Sequence, residues 1–315
     1  SVLCLSLATC MPPTDSRGWE CVAPAAAGGG WDRTCRTVGQ TLGELGLTPG
    51  VVRTTNMPGA GGGVGFAHAV AQRNDDPQVL FSASPGTTLL LAQGQWGDLS
   101  ENDVRWLGAV GAEYGVVAVA GDAPWQSLAD LMDAWRDDPT SIAVGGGSAA
   151  AGQDHMKALL LAHRSGMDVR SVRYVPFDGG GEAMTALLGG FVQVFSGEVS
   201  EIMGQMQAGS MRALAVLAPE RLDGTMAHVP TAREQGLDVD WVTWRGFFVP
   251  GGITDEAYDA WVDRLATLAD SPEWHEVRRT NRYEPFVLIG DEFKDFVNQQ
   301  VADFRALSRE IGIIQ

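Results

Sequence analysis

The sequence predicts an α/β protein whose two halves each carry a mainly parallel sheet. Three observations point there. A β-rich apolar run, a glycine-rich turn and a helical pattern follow one another three times within the first 90 residues. The same order resumes from Ser141 to Val216. The composition, 45% hydrophobic with 19% charged residues and 40 glycines, supports a large core with many tight turns and excludes a disordered chain.

Glu20–Ala25 reads as the first strand, running into Gly28-Gly29-Gly30 and a helix from about Trp31, where Cys35, Val38 and Leu42 recur at helical spacing. Val51–Thr55 is the second strand. It ends in Asn56-Met57-Pro58-Gly59-Ala60-Gly61-Gly62-Gly63, and the helix beyond is expected to turn Val64, Ala67, Val70 and Ala71 inward. Val79–Ser82 is a strand buried on both faces, with Ser84-Pro85-Gly86-Thr87 as its turn. Val116–Ala120 is a further apolar strand, and Ser127–Trp135 a helix. Ser141–Val144, Arg170–Tyr174, Phe191–Phe195 and Arg212–Val216 are the strands of the second half. Between them, glycine loops lead into helices ending near Leu161 and spanning Glu182–Leu188, and Val199–Gln207 is a third helix.

Thr231 and Glu234 have the spacing of a capping box. Trp244–Val249 is apolar and strand-like. Two amphipathic helices close the chain. One carries Ala257, Trp261, Leu265 and Leu268 on a face, the other Phe293, Phe296, Val297, Val301, Phe304 and Leu307. Nothing marks a linker. The chain is therefore expected to cross between its halves near Val116 and near Arg245, with 19–117 and 245–315 forming one lobe and 118–244 the other. A ligand cleft belongs between such lobes.

The net charge of −17 and the absence of any Lys/Arg cluster argue against nucleic acid; Lys157 and Lys294 are the only lysines. Residues 1–18 read either as the remnant of an export signal or as an N-terminal extension, with Cys10 a candidate lipid-anchored cysteine. All four cysteines lie within the first 35 residues. A Cys21–Cys35 disulfide would tie the first strand to its helix and implies an oxidising compartment.

Catalytic motifs are incomplete. The glycines after Pro58 precede Val64 where a dinucleotide fingerprint needs Gly or Ala, and no glycine run continues into Gly-Lys-Ser/Thr. Neither Ser84 nor Ser148 completes a nucleophile elbow, and the five histidines form no metal pair. An esterase or a dehydrogenase is thus the weaker reading, and no metal or cofactor is expected. Ten tryptophans invite sugar stacking, but Trp135 and Trp261 sit at core spacing. Anion binding is better served. Four loops, Gly28–Gly30, Ser84–Thr87, Gly145–Ser148 and Asp178–Gly181, stand between a strand end and a helix start, where free amides and the helix dipole favour a carboxylate.

Several ordered segments carry a more specific likeness. They are Ala23–Asp32 with Arg36, Asn56–Gly62, Asp178–Ala183 with Leu187–Gly190, and Ala208–Val216. Pro230-Thr231 with Glu234 and Gly236 follows, then Trp244–Phe247 running to Pro250. Across about residues 20–313 the chain resembles the extracytoplasmic solute-binding proteins of tripartite tricarboxylate transporters. The resemblance implies a type 2 periplasmic-binding-protein fold of two α/β lobes. It implies a monomeric periplasmic protein that takes a di- or tricarboxylate into the cleft and hands it to the membrane permease subunits. An amino-dicarboxylate, an aromatic carboxylate or a ligand-sensing role is the alternative.

Carried onto this chain, the ligand residues are Ala25, Ala27, Gly28 and Gly29 from one lobe, with Gly146, Gly147, Ser148, Phe177, Asp178 and Gly179 from the other. Ser84 and Thr87 would supply hydroxyls. Ser196 and Glu198 would line the distal side, although a carboxylate there repels an anionic ligand unless it is protonated or meets a basic ligand group. Asp32 would be structural, capping its helix and holding the first loop.

Overall fold

The computed structural model describes residues 18–315. Cys10 and the candidate export segment lie outside the described residues. In the first third, β1 (Glu20–Ala23) leads to α1 (Gly30–Glu44), β2 (Arg53–Asn56) to α2 (Gly63–Gln72), and β3 (Val79–Ala83) to α3 (Pro85–Ala92). A long β4 (Val104–Ala120) precedes α4 (Leu128–Asp137). Then come β5 (Ala143–Gly146), α5 (Gln153–Arg164), β6 (Arg173–Pro176), α6 (Gly180–Leu188), β7 (Val194–Glu198) and α7 (Val199–Gln207). β8 (Met211–Leu217) and β9 (Val242–Pro250) are followed by α8 (Asp255–Asp270), α9 (Pro272–Asn281), β10 (Leu288–Ile289) and α10 (Asp291–Glu310).

The strands order as β2-β1-β3-β9-β4-β7-β5-β6, with β8 and β10 also paired to β4. β1 pairs in parallel with β2 and β3, and β5 with β6 and β7. The antiparallel pairings gather in the middle, where β4 meets β7, β8, β9 and β10 and β9 meets β3. Val104–Tyr114 of β4 pair with β9, whereas Gly115–Ala120 pair with β7 and β8. One strand thus serves both halves, and the carboxyl ends of the parallel strands carry the glycine loops.

β4 starts twelve residues before the expected Val116. Gly108, Gly111 and Glu113 break the apolar run, but the two glycines mark close approach. A Cβ at Gly108 would lie 2.9 Å from Leu288 O, and one at Gly111 3.2 Å from Tyr283 Cβ. The inward face of α2 also differs from expectation. Phe66 and Ala69 are buried with Gly63 and Gly65, while Val64 is 46% exposed and Ala71 is exposed. Gly65 packs on Pro24, where a Cβ would stand 2.9 Å from its Cβ, so the buried side is chosen by closeness and is poor in large apolar residues.

Ser84–Thr87 opens α3, with Ser84 as its cap, and Gly145 and Gly146 finish β5. β6 and β7 fall later than expected. Val169–Ser171 forms a single helical turn, and Phe191 is 81% exposed where its amide wraps back onto Ala186 O at the end of α6. α9 and β10 had no clear periodicity; α9 is set by Ser271, which accepts Trp274 N–H, and by Pro272 in its first turn.

The Cys21–Cys35 disulfide joins β1 to α1 with 5.6 Å between Cα atoms. Both cysteines are buried beside Val38, Leu42, Trp261 and Leu265. α10 bridges the halves. Phe293, Val297 and Val301 pack with Trp106, Trp244 and Phe248, and its far end reaches the core of Leu159 and Trp241 through Phe304 and Leu307. Among the described residues no helix is long and apolar enough to cross a membrane, and no group of three His, Cys, Asp or Glu could hold a metal ion.

Candidate functional site

The loop between β1 and α1 is held from within by Asp32. Its Oδ2 accepts Gly28 N–H at 2.8 Å and Arg36 Nε–H at 2.9 Å; its Oδ1 accepts Asn56 Nδ2–H at 2.9 Å. Asn56 also donates to Ala25 O. Burial works against the Asp32 charge, yet Arg36, Gly28 and Asn56 outweigh it and keep the carboxyl below its ordinary range. Asp32 is the third helical residue, and the helix cap is Gly29, which has no side chain to offer. The first-turn amides of α1 at Gly30, Trp31 and Asp32 therefore have no partner among the described residues. Gly28 has φ +86° and open space where a Cβ would stand.

Arg245, on β9, lies directly under this turn. A Cβ on Gly30 would be 2.6 Å from Arg245 Nη1, so glycine is what lets the guanidinium approach the helix N-terminus. Its Nε and Nη2 donate to Glu113 Oε1 at 3.0 and 2.5 Å. Thr243 and Arg245 of β9 and Glu113 of β4 share one face of the crossing strands, while Trp244 and Ala112 on the other face pack in the core.

Opposite stand the loops of the second half. Gly146 and Gly147 serve close packing: a Cβ at Gly146 would lie 2.6 Å from Asp154 Cβ and Tyr174 Oη, and Gly147 abuts Gly179 and Gly180. Ser148 Oγ accepts Asp154 N–H at 2.9 Å, and Tyr174 Oη–H donates to Ser148 O at 2.8 Å. Phe177 N–H donates to Gly146 O, Asp178 N–H to Glu182 Oε2, and Gly179 caps α6 at φ +138° with free space around it. His155 stacks on Tyr174 at 4.4 Å and accepts Ala151 N–H at Nδ1; burial lowers its pKa to about 4, so it is neutral.

Three expected site residues are engaged internally. Ser196 is buried and donates to Asp154 O at 2.8 Å. Ser84 Oγ accepts Gly86 N–H and Thr87 Oγ1 accepts Ser84 N–H, a reciprocal cap with both residues buried. These side chains shape the loops from behind. The halves meet at several points: Gln93 Nε2–H donates to Ala151 O at 3.1 Å, and Gln153 Oε1 would be 3.4 Å from a Cβ on Gly86.

Beneath the loops is a buried charge network that sequence reasoning largely missed. Lys157, fully buried, donates to Glu198 Oε1 at 2.7 Å and to Asp154 Oδ1 and Gly197 O at 2.9 Å. Glu198 Oε1 also accepts Thr243 Oγ1–H at 2.8 Å and Gln153 Nε2–H at 3.3 Å. The charge of Glu198 is thus answered by Lys157. Burial works against the Lys157 charge, but Glu198 and Asp154 outweigh it and push its pKa up. Burial, reinforced by Asp154 and Glu198, raises Glu201 to about 7. The available signal was a charge inside an apolar run: Glu113 within β4, Lys157 ahead of Ala158-Leu159-Leu160.

Two α/β halves sharing two crossing strands, with helix N-termini facing across the seam, define the two-lobed fold of periplasmic binding proteins. The sequence pattern of the tripartite tricarboxylate transporter family receptor (TctC) matches residues 36–313, and the chain belongs to that family. A UPF0065 protein of Agrobacterium vitis, from the TAR-I ttuE-ttuC' intergenic region, is 29% identical over 256 residues, covering 80% of this chain and 71% of its own. R. palustris Rpa4515, solved with adipate, has a TM-score of 0.84 at 20% identity, covering 94% of this chain and 98% of its own. MatC from Rhodopseudomonas palustris, solved with bound malate, has a TM-score of 0.79 at 21% identity, covering 92% and 98%. The family is one of solute-binding receptors.

Proposed function

We propose that this protein captures a small organic carboxylate between its lobes outside the cytoplasm and passes it to the membrane subunits of a tripartite tricarboxylate transporter. Residues 19–117 with 245–315 form one lobe and 118–244 the other, hinged on β4 and β9. The observation that carries the reading is the first turn of α1, whose amides at Gly30, Trp31 and Asp32 have no partner among the described residues and whose Gly30 stands against Arg245 Nη1. One ligand carboxylate docks there, approached through Gly28 and Gly29 with Ala25 and Ala27 forming the loop. Ser148, Phe177, Asp178 and Gly179 close over it from the second lobe; Gly146 and Gly147 let that loop pack tightly. Di- and tricarboxylates are the class suggested by the family, and malate and adipate are held by the two structural relatives.

Closure is driven by contacts made only when the lobes meet around the ligand. No covalent step is involved. The neutral His155 and the hydroxyl of Ser148 are committed to backbone partners, which leaves neither poised as a base–nucleophile pair.

The test is a thermal-shift titration with carboxylates and sugars at fixed ionic strength, repeated on Ser148→Trp. A ligand bound only by the folded protein raises stability by about 2.7 kcal/mol at a hundredfold excess over Kd. A carboxylate should raise the melting temperature of the wild type and leave Ser148→Trp unmoved. A shift from sugars alone would reject the reading.

A further inference from the structure

We propose that Glu201 is a ligand-selecting residue of the second lobe: its protonated carboxyl donates a hydrogen bond to the ligand carboxylate on that side, so that capture takes up a proton. This rests on the carboxylate-capture reading above and adds to it the proton that accompanies the ligand.

The place of Glu201 follows from three helix starts. It lies in the first turn of α7, where its Oε2 accepts Glu198 N–H at 2.8 Å. Its Oε1 has no hydrogen-bond partner among the described residues and lies against Gly180, where a Cβ would overlap it. Gly180 heads α6, and the first-turn amides at Gly180, Gly181 and Glu182 have no partner among the described residues. The neighbouring Ser200 Oγ lies 3.5 Å from Arg33 Nη1 of α1, so the starts of α7 and α1 meet across the lobes. Glu201 is partly exposed, whereas Glu198 is sealed at 3%. The carboxyl thus stands at the seam beside open amides, with one oxygen engaged and the other free.

The charges around it set its state. Asp154 of α5, Glu198 at the end of β7 and Glu113 of β4 all repel its negative form. Lys157 is committed to Asp154 and Glu198, and Arg245 to Glu113. On β6, burial and Asp154 keep the Tyr174 hydroxyl protonated, and the His155 ring stacked on it is neutral. Asp178 and Glu182, before and within α6, are exposed to water. Arg33 reaches Ser200, and no Lys, Arg or His pairs with Glu201 among the described residues. Burial and the three carboxylates hold Glu201 up at about 7.

Because Oε2 already accepts an amide N–H, the proton belongs on Oε1, the oxygen a ligand can reach. A carboxylate docked at the α6 amides accepts that O–H in a short, charge-assisted bond. Against an ionised Glu201 the same carboxylate meets a like charge, so binding draws a proton from water onto Oε1. A ligand whose far end carries no acceptor gains nothing from this oxygen.

Isothermal titration of the full chain with succinate, malate and adipate tests the inference, at fixed ionic strength and in two buffers of different ionisation enthalpy. At pH 8 the wild type should take up about one proton per ligand bound, and its affinity should fall about tenfold or more between pH 6 and pH 8.5. Glu201→Gln keeps an acceptor for Glu198 N–H and puts a neutral donor where the O–H stood. It should bind without proton uptake, with an affinity that is flat across the same range. Wild-type binding with no proton taken up at pH 8, or uptake that persists in Glu201→Gln, would overturn the inference and leave carboxylate capture standing. Failure of all three acids to bind at any pH would reject carboxylate capture, and this inference with it.

Discussion

Lys157→Met exposes how much the cleft floor depends on one ammonium. Lys157 is fully buried and donates to Glu198, Asp154 and Gly197 at 2.7–2.9 Å. Methionine fills much of the same volume, so the packing loss is small. What remains is two buried carboxylates, Asp154 and Glu198, facing each other without a counter-ion. Breaking a buried pair from one side costs about 3–5 kcal/mol. At roughly 2–4 °C per kcal/mol for a chain of this order of size, the melting temperature should fall by about 10 °C. Calorimetry on the wild type, on Lys157→Met, on Glu198→Gln and on the double variant reads both the loss and the coupling. The double variant should be more stable than the sum of the singles by about 1–3 kcal/mol. A Lys157→Met loss below about 1 kcal/mol, or strict additivity, would refute the paired network.

Three further outcomes follow from the same geometry. Removing the Cys21–Cys35 bond by a double Ala substitution opens a loop with a sequence separation of 14 and should cost about 3 kcal/mol in urea unfolding; an unchanged midpoint would show that the bond adds nothing. Glu201, raised to about 7 from 4.5, keeps its proton in the folded state after the unfolded chain has lost it, so its contribution to stability falls as pH rises from 4.5 to 7. His155, lowered to about 4, acts with the opposite sign between pH 4 and 6.5. The Glu201→Gln variant should therefore gain on the wild type by about 1–3 kcal/mol between pH 5 and 8, and a pH-independent difference would dismiss the shift. Gly30→Ala puts a Cβ 2.6 Å from Arg245 Nη1 and should weaken carboxylate binding about tenfold by titration; full affinity would remove the first turn of α1 from the site.

The sequence is most legible where pattern and purpose coincide. The face of α10 and the strand β3 follow from hydrophobic periodicity, and the Cys21–Cys35 bond from the crowding of cysteines near one end. α2 differs from the expectation because its buried side joins Phe66 and Ala69 to two glycines, Gly63 and Gly65, drawn against Trp96 and Pro24, which shortens the apolar stripe. The cleft was only half visible. Glycine loops announce where a backbone can meet a ligand, but Arg245 and Glu113 come together only because β9 and β4 pair in antiparallel register. Lys157 and Glu198 lie 41 residues apart and meet only once β5, β7 and α5 are packed. Ser84 and Thr87, which the resemblance would have supply hydroxyls, and Ser196, which it would set on the distal side, have hydroxyls engaged within the fold: Ser84 and Thr87 in a reciprocal cap of α3, Ser196 on Asp154 O.

A crystal structure of the protein with a bound carboxylate tests the central claim most directly. The account predicts carboxylate oxygens at hydrogen-bonding distance, about 2.7–3.2 Å, from the first-turn amides of α1, with Arg245 alongside and the Ser148 loop closed over the ligand. A carboxylate lodged elsewhere, with those amides facing only water, would contradict it.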